Sequence, residues 1–307
     1  MGSNKPSLWK FGGLTPIGLG KQVWKDMNDD DVSTRSASLA YYFVLALFPA
    51  MLFLLSILGF FAGARTQLRE SLFTTLAHVL PGSASDLIHK TLDEVTRSSG
   101  AGKALFGIIA ALTSASSGVT AIMESLNIAY DVKETRPMWK QRAVAVGLTL
   151  ALAVLVLSAL GLTLYGGDAA EWLGAHVGLG QVLVVGWKIV QWPVVLVFMF
   201  VAFATTYYFA PNLDKPEWHW ITPGSALGLV LWLVASFGFK VYLQYFNTYS
   251  KTYGSLGAVM ILLLWLYITG FAIMIGGEVN SAIGRATDAQ LADEEKHRKI
   301  VDELRAA

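Results

Sequence analysis

The sequence predicts an all-α polytopic membrane protein with six spanning helices, and three observations carry that prediction. More than half the residues are hydrophobic (54%) and only 15% are charged, against about 25% charged in ordinary soluble domains. The apolar residues gather in six runs long enough to cross a hydrocarbon core, which takes about 20 helical residues. Lys and Arg fall unevenly on the segments between those runs, as the positive-inside bias requires.

The runs cover roughly 39–61, 105–130, 143–165, 189–209, 221–245 and 255–278. Before the first stand Lys5, Lys10, Lys21, Lys25 and Arg35. Four cations lie in 131–142, Lys215 lies in 210–220, and five follow the last run, so this side carries fifteen. The other side carries six, and Lys188 and Lys240 sit at span edges. The richer side is expected to be the cytoplasm of a bacterial inner membrane, with both termini inside. Residues 1–37 are then a cytoplasmic segment, 38–285 the six-helix domain and 286–307 a charged cytoplasmic tail.

Residues 1–37 are mixed polar and the first apolar run is too long for a cleavable leader. Pro6 stands where a myristoylation motif beginning at Gly2 needs Ser or Thr. Residues 18–30 read as a short interfacial helix stopped by Asp29-Asp30-Asp31. The loop after the first span is patterned. Leu68, Leu72, Phe73, Leu76 and Leu80 recur at helical spacing until Pro81-Gly82. Ser83 or Ser85 can then cap a second helix bearing Leu87, Ile88, Leu92 and Val95. The expectation is an external helical hairpin over 65–100.

Several chemistries are excluded or unsupported. With no cysteine there is no disulfide, thiolate metal site or cysteine nucleophile. A net charge of +1 argues against a nucleic-acid footprint. The five histidines are scattered without metal-ligand spacing. Gly102-Lys103 is preceded by Arg97 and followed by Ala104, where a phosphate loop needs Gly and Ser or Thr. No Gly-x-Ser-x-Gly elbow appears. The expectation is a chain that is not an enzyme, with no catalytic residue, metal, cofactor or nucleic-acid partner. The lipid bilayer is its first partner, and the oligomeric state is unknown from sequence.

Four groups of residues stand out. Lys188 and Lys240, at the outer ends of spans four and five, either snorkel to the headgroups or face a cavity that receives an anionic group. Arg35, Glu124, Asn127, Glu278 and Asn280 lie close in depth near inner span ends. They read either as a structural cluster tying helix ends together or as a cytoplasmic gate with a proton-binding glutamate. Pro49 and Pro193, about midway along spans one and four, are candidate kinks. Their matching places in two three-helix halves resemble the interrupted helices of transport sites, although no repeat joins the halves. Tyr249 and Tyr253 belong to an aromatic and polar run that is either an interfacial belt or the wall of an outer site.

Small residues mark close helix contacts: Ala110, Ser114 and Gly118 in span two, Gly224 and Gly228 in span five. Ser114, Ser116, Ser117 and Thr120 either line a polar path or bond back to their own helix.

The chain resembles the YihY/BrkB membrane proteins, historically labelled ribonuclease BN. The residues that carry the resemblance begin with Ser36-Ala-Ser-Leu-Ala-Tyr-Tyr-Phe and Leu47-Phe-Pro49. Asn127-Ile-Ala-Tyr-Asp131, Tyr208-Phe-Ala-Pro211 and Trp220-Ile-Thr-Pro-Gly224 continue it. Tyr253-Gly-Ser-Leu-Gly257 and Gly277-Glu-Val-Asn280 complete it, and together they cover about 30–285. The resemblance implies a six-span inner-membrane protein, and a role in moving lipids or other envelope molecules has been suspected for relatives.

The combined expectation is a transporter or flippase-like protein for an amphipathic or anionic envelope substrate such as lipid. Lys188, Lys240, Tyr249 and Tyr253 would receive it, and the Arg35–Glu278 group would form the inner gate. A scaffold binding envelope partners is the alternative. A membrane-associated ribonuclease is a remote third, for want of any nuclease residues.

Overall fold

The computed structural model describes residues 8–62, 101–177, 180–214, 221–245 and 255–306, and every regular element among them is helical. A 3-10 turn, Leu8–Gly13, leads into α1 (Pro16–Asp29) and α2 (Val32–Ala62). Then come α3 (Ala101–Ala129), α4 (Met138–Val177), α5 (Gly180–Phe209), α6 (Pro223–Tyr245) and α7 (Ser255–Ala306). The predicted hairpin at 65–100, and Tyr249 and Tyr253, lie outside the described residues.

Among the described residues, four helices contain stretches long and apolar enough to cross a membrane: Met138–Thr163, Val184–Phe209, Pro223–Gln244 and Val259–Arg305. Only 11% of the most apolar window of the first is buried within the protein. Its large side chains, among them Val154, Val156 and Leu160, face outward. A soluble fold does not leave such stretches uncovered; lipid covers them. The chain is therefore a membrane protein of several apolar helices.

The helices outrun the apolar runs that announced them. The fifth matches closely, but α4 continues twelve residues past Tyr165 and α7 runs on through the charged tail to Ala306. Hydropathy marks where lipid is, whereas a helix continues wherever its i→i−4 bonds are undisturbed. Both α2 and α5 run unbroken across Pro49 and Pro193, which cannot donate to the carbonyls four residues back.

Packing is by neighbouring pairs: α2 on α3, α4 on α5, α6 on α7, with α7 also crossing α2. Leu39, Met123, Leu126 and Met274 are among the fully buried apolar side chains of the core. Small residues set the closest approaches. A Cβ at Gly118 would lie 3.1 Å from Ala46 Cβ of α2. One at Gly276 would lie 2.6 Å from the Gly224 carbonyl oxygen, so α6 and α7 touch backbone to backbone. Several hydroxyls inside the helices bond back to their own helix. Ser36 donates to the Val32 carbonyl (2.7 Å), Ser116 to Thr113 (2.7 Å) and Thr120 to Ser116 (3.0 Å).

Candidate functional site

The ends of α1 and α3 are each finished by an aspartate in the left-handed region, Asp31 (φ 50) and Asp131 (φ 54), a conformation that Asp tolerates better than most residues. After Asp131 the Val132 N–H returns to the Asn127 carbonyl (2.8 Å), closing the α3 C-terminus. Arg35, one turn into α2, donates from Nε to the Asp30 carbonyl (2.6 Å). Its cation thus sits at the negative end of α1.

These two ends meet α7 through Arg285. Its Nη1 donates to Asp131 Oδ2 (2.6 Å) and to Ser281 Oγ (2.8 Å), and its Nη2 donates to Asp26 of α1. Asp26 is buried and Asp131 exposed. One guanidinium therefore ties three elements together, in the planar geometry that suits Arg.

Two turns before Arg285 on the same helix stands Glu278. It is fully buried, and neither carboxylate oxygen receives a hydrogen bond. The charges of Asp30, Asp26 and Arg285 act on it, and its own charge acts on Tyr130. Asp30 lies within hydrogen-bonding range of Glu278. Two ionised carboxylates only accept, so a bond between them forms only when one holds a proton. Burial, then the nearby Asp131, raise the Asp30 carboxyl above its ordinary value.

A second polar cluster locks the α3–α4 loop to the α5–α6 loop. Arg136 grips Glu134 with two bonds of 2.7 Å and donates to the Ala210 carbonyl at the end of α5 (2.9 Å). Asn127 donates to Glu134 (2.9 Å) and accepts from the Asn212 N–H (2.7 Å). The Arg136 bonds hold the Glu134 carboxyl below its usual range.

The residues singled out by sequence are thus distributed among different sites. Arg35 and Glu278 come to the same junction, joined through Asp30. Asn280 stands one turn from the crossing of α6 and α7, where its Oδ1 accepts from the Gly224 N–H (2.9 Å). Asn127 belongs to the loop lock, and Glu124 is exposed on α3. Lys188 and Lys240 are exposed on α5 and α6. Asp26, Asp131 and Arg285 were missed as partners. Asp131 lies inside a motif the sequence displays, whereas Arg285 looks like any other tail cation. Among the described residues no three His, Asp or Glu side chains gather as a metal site.

The family model described as virulence factor BrkB matches residues 23–301. The chain belongs to the virulence factor BrkB family. A BrkB-family relative in Bacillus subtilis (strain 168), YfkH, named as ribonuclease-like, is 32% identical over 263 residues, covering 86% of this chain and 94% of the relative. A UPF0761 membrane protein of Xanthomonas oryzae pv. oryzae is 24% identical over 277 residues, covering 87% of this chain. Another, from Xanthomonas axonopodis pv. citri, is also 24% identical over 277 residues. The chain spans 61% of the length of these two Xanthomonas relatives. No solved structure matches.

Proposed function

We propose that this BrkB-family chain is a six-span inner-membrane transporter, flippase-like in action, for an amphipathic or anionic envelope substrate such as lipid. Both termini would be cytoplasmic, and the Glu278 junction would be a proton-sensitive inner gate. The observation that supports this reading is Glu278 itself, a carboxyl buried in a helix of the bundle with no donor to either oxygen. An ionisable group in a spanning helix is costly, and such groups mark ion and proton pathways in membrane proteins.

Protonation of the Glu278–Asp30 pair would relieve repulsion between acids on α7 and on the α1–α2 turn. The two elements would then close or part with the protonation state, and Arg285 would hold them in register. Lys188 and Lys240 would draw an anionic headgroup at the far side, with Tyr249 and Tyr253 nearby. Pro49 and Pro193 each leave one carbonyl without its helical donor, which favours bending there.

The test is reconstitution in liposomes holding a chain-labelled fluorescent phosphatidylglycerol, quenched from outside with dithionite. The expected result is quenching beyond that of protein-free liposomes, faster at one pH than another, with the pH dependence lost in Glu278→Gln. Folded protein that never exceeds the protein-free control, at acid or neutral pH, would refute transport of this lipid class. The scaffold reading would then lead. It draws support from the end of α7, where Ile300, Val301 and Leu304 are exposed on a highly charged helix.

A further inference from the structure

We propose that the groove between α1 and α6 holds one acyl chain of an anionic phospholipid, taken from the leaflet on which α1 lies. The site rests on the membrane placement of these helices and not on transport, so it stands whether or not a lipid is carried across.

The groove encloses about 460 Å³, within the ~300–1,000 Å³ typical of small-ligand sites. One wall is Trp9 and Phe11 of the 3-10 turn with Leu19 and Val23 of α1. The other is Pro223, Ala226, Leu227 and Val230 of α6. Every lining side chain is apolar, so the walls can recognise hydrocarbon and little else. The seven helical steps of α6 from Pro223 to Val230 give a depth of about 10 Å at 1.5 Å per residue. Leu227 and Val230 are partly exposed, so the groove opens sideways, where a chain can enter from the bilayer.

The turn that closes it is a built feature. Phe11 and Gly12 are left-handed (φ 53 and 58), an unfavourable backbone for a bulky residue such as Phe. Leu14 N–H returns to the Phe11 carbonyl (3.1 Å), and Gly12 packs against Ala286 and Thr287 of α7. Gly20, on the α1 rim, borders open space: a Cβ there would meet nothing within 4 Å.

Charge and exposure select the occupant. Trp9, Ile17 and Trp24 are exposed on the same segment, with Lys10, Lys21 and Lys25 exposed among them. Aromatic residues with lysines are the composition of a helix lying in the headgroup layer. The acids of α1 do not cancel these cations at the groove. Asp26 is turned inward to Arg285, and Asp29 lies nine residues, or about 13 Å, beyond Gly20. A chain in the groove would therefore carry its headgroup into the layer in which these exposed lysines lie, which favours an anionic one.

The experiment uses the full chain in nanodiscs containing phosphatidylglycerol or phosphatidylcholine with a photoreactive diazirine on the acyl chain, mapped by peptide mass spectrometry. Peptides from both groove walls are expected to label about tenfold more than lipid-facing peptides of α4, a difference equal to ~1.4 kcal/mol. Gly20→Leu adds a side chain into open space and improves helix propensity. It should remove the excess and leave α4 labelling unchanged, as should Ala226→Phe from the opposite wall. Reversing Lys10, Lys21 and Lys25 to Glu should abolish the preference for phosphatidylglycerol. Walls that label no more than α4 would overturn the site. So would folded Gly20→Leu and Ala226→Phe proteins that keep the excess, or phosphatidylcholine labelling as strongly as phosphatidylglycerol. Protection of both walls by a second copy of the chain would also overturn it. A failed transport assay alongside positive labelling would refute the carrier and leave the lipid site intact.

Discussion

Arg285 of α7 donates to Asp131, the residue that finishes α3, at 2.6 Å across 154 positions of sequence. The same guanidinium also holds Asp26 of α1, which is far more buried than Asp131. Removing the arginine leaves the buried Asp26 carboxylate with the Gln22 amide donor (2.8 Å) but without its cation, and losing a hydrogen bond to a buried charged group costs about 1–3 kcal/mol. Removing Asp131 leaves the arginine still paired to Asp26. Arg285→Ala should therefore lower the melting temperature in detergent clearly more than Asp131→Asn. Equal losses would mean that the exposed pair carries as much as the buried one.

Glu278 should behave in the opposite way. Its carboxylate has no donor, burial penalises its charge, and Asp30 and Asp26 repel it against the attraction of Arg285. Glu278→Gln keeps the shape and deletes the charge, and the variant is expected to melt at or above the parent at neutral pH. A clear fall in melting temperature would show that the carboxylate is satisfied by a donor in the folded protein.

The helices were legible because lipid enforces long apolar runs. A close helix contact on α6 was legible because Gly224 and Gly228 repeat at four, but its partner, α7, was not. The junction was not. Glu124 and Glu278 each stand near a span end among small and apolar neighbours, yet one is exposed and the other fully buried. Only the way the helices pack separates them. The partners of Arg285 lie 259 and 154 positions away, and no local pattern links them. Hydropathy also could not find where α4 and α7 stop, since a charged helix beyond the bilayer has no apolar signature.

Two perturbed acids outside the spans, Glu134 and Asp30, have opposite effects with pH. Glu134 titrates lower in the folded protein than its ordinary 4.5. Its contribution is complete above 4.5 and is lost as pH falls through the folded value. Asp30 titrates above its ordinary 3.8. Its contribution is complete below 3.8 and is lost as pH rises through the folded value. Glu134→Gln should thus destabilise at neutral pH, with the difference fading in acid. Asp30→Asn should stabilise at neutral pH, its advantage fading in acid. Melting temperatures of the two variants against pH check both signs, and parallel curves would refute them.

The α6–α7 crossing gives the sharpest packing test. A Cβ on Gly276 meets the Gly224 carbonyl oxygen at 2.6 Å and the Tyr207 hydroxyl closer still. That hydroxyl is fixed, since it donates to the Ile273 carbonyl (2.8 Å). Neither neighbour can yield without moving a helix, so Gly276→Ala should cost about 1–3 kcal/mol or more, as overpacking does. Gly147, on α4, is the control, because a Cβ there meets nothing within 4 Å. Gly147→Ala should gain about 0.5–1 kcal/mol from helix propensity alone. The same chemical change is thus expected to have opposite signs at two helical glycines. Thermal unfolding of both variants in one detergent reads the difference directly. If Gly276→Ala melts with or above Gly147→Ala, the two helices do not meet backbone to backbone, and the position of Glu278 two residues on must be drawn differently.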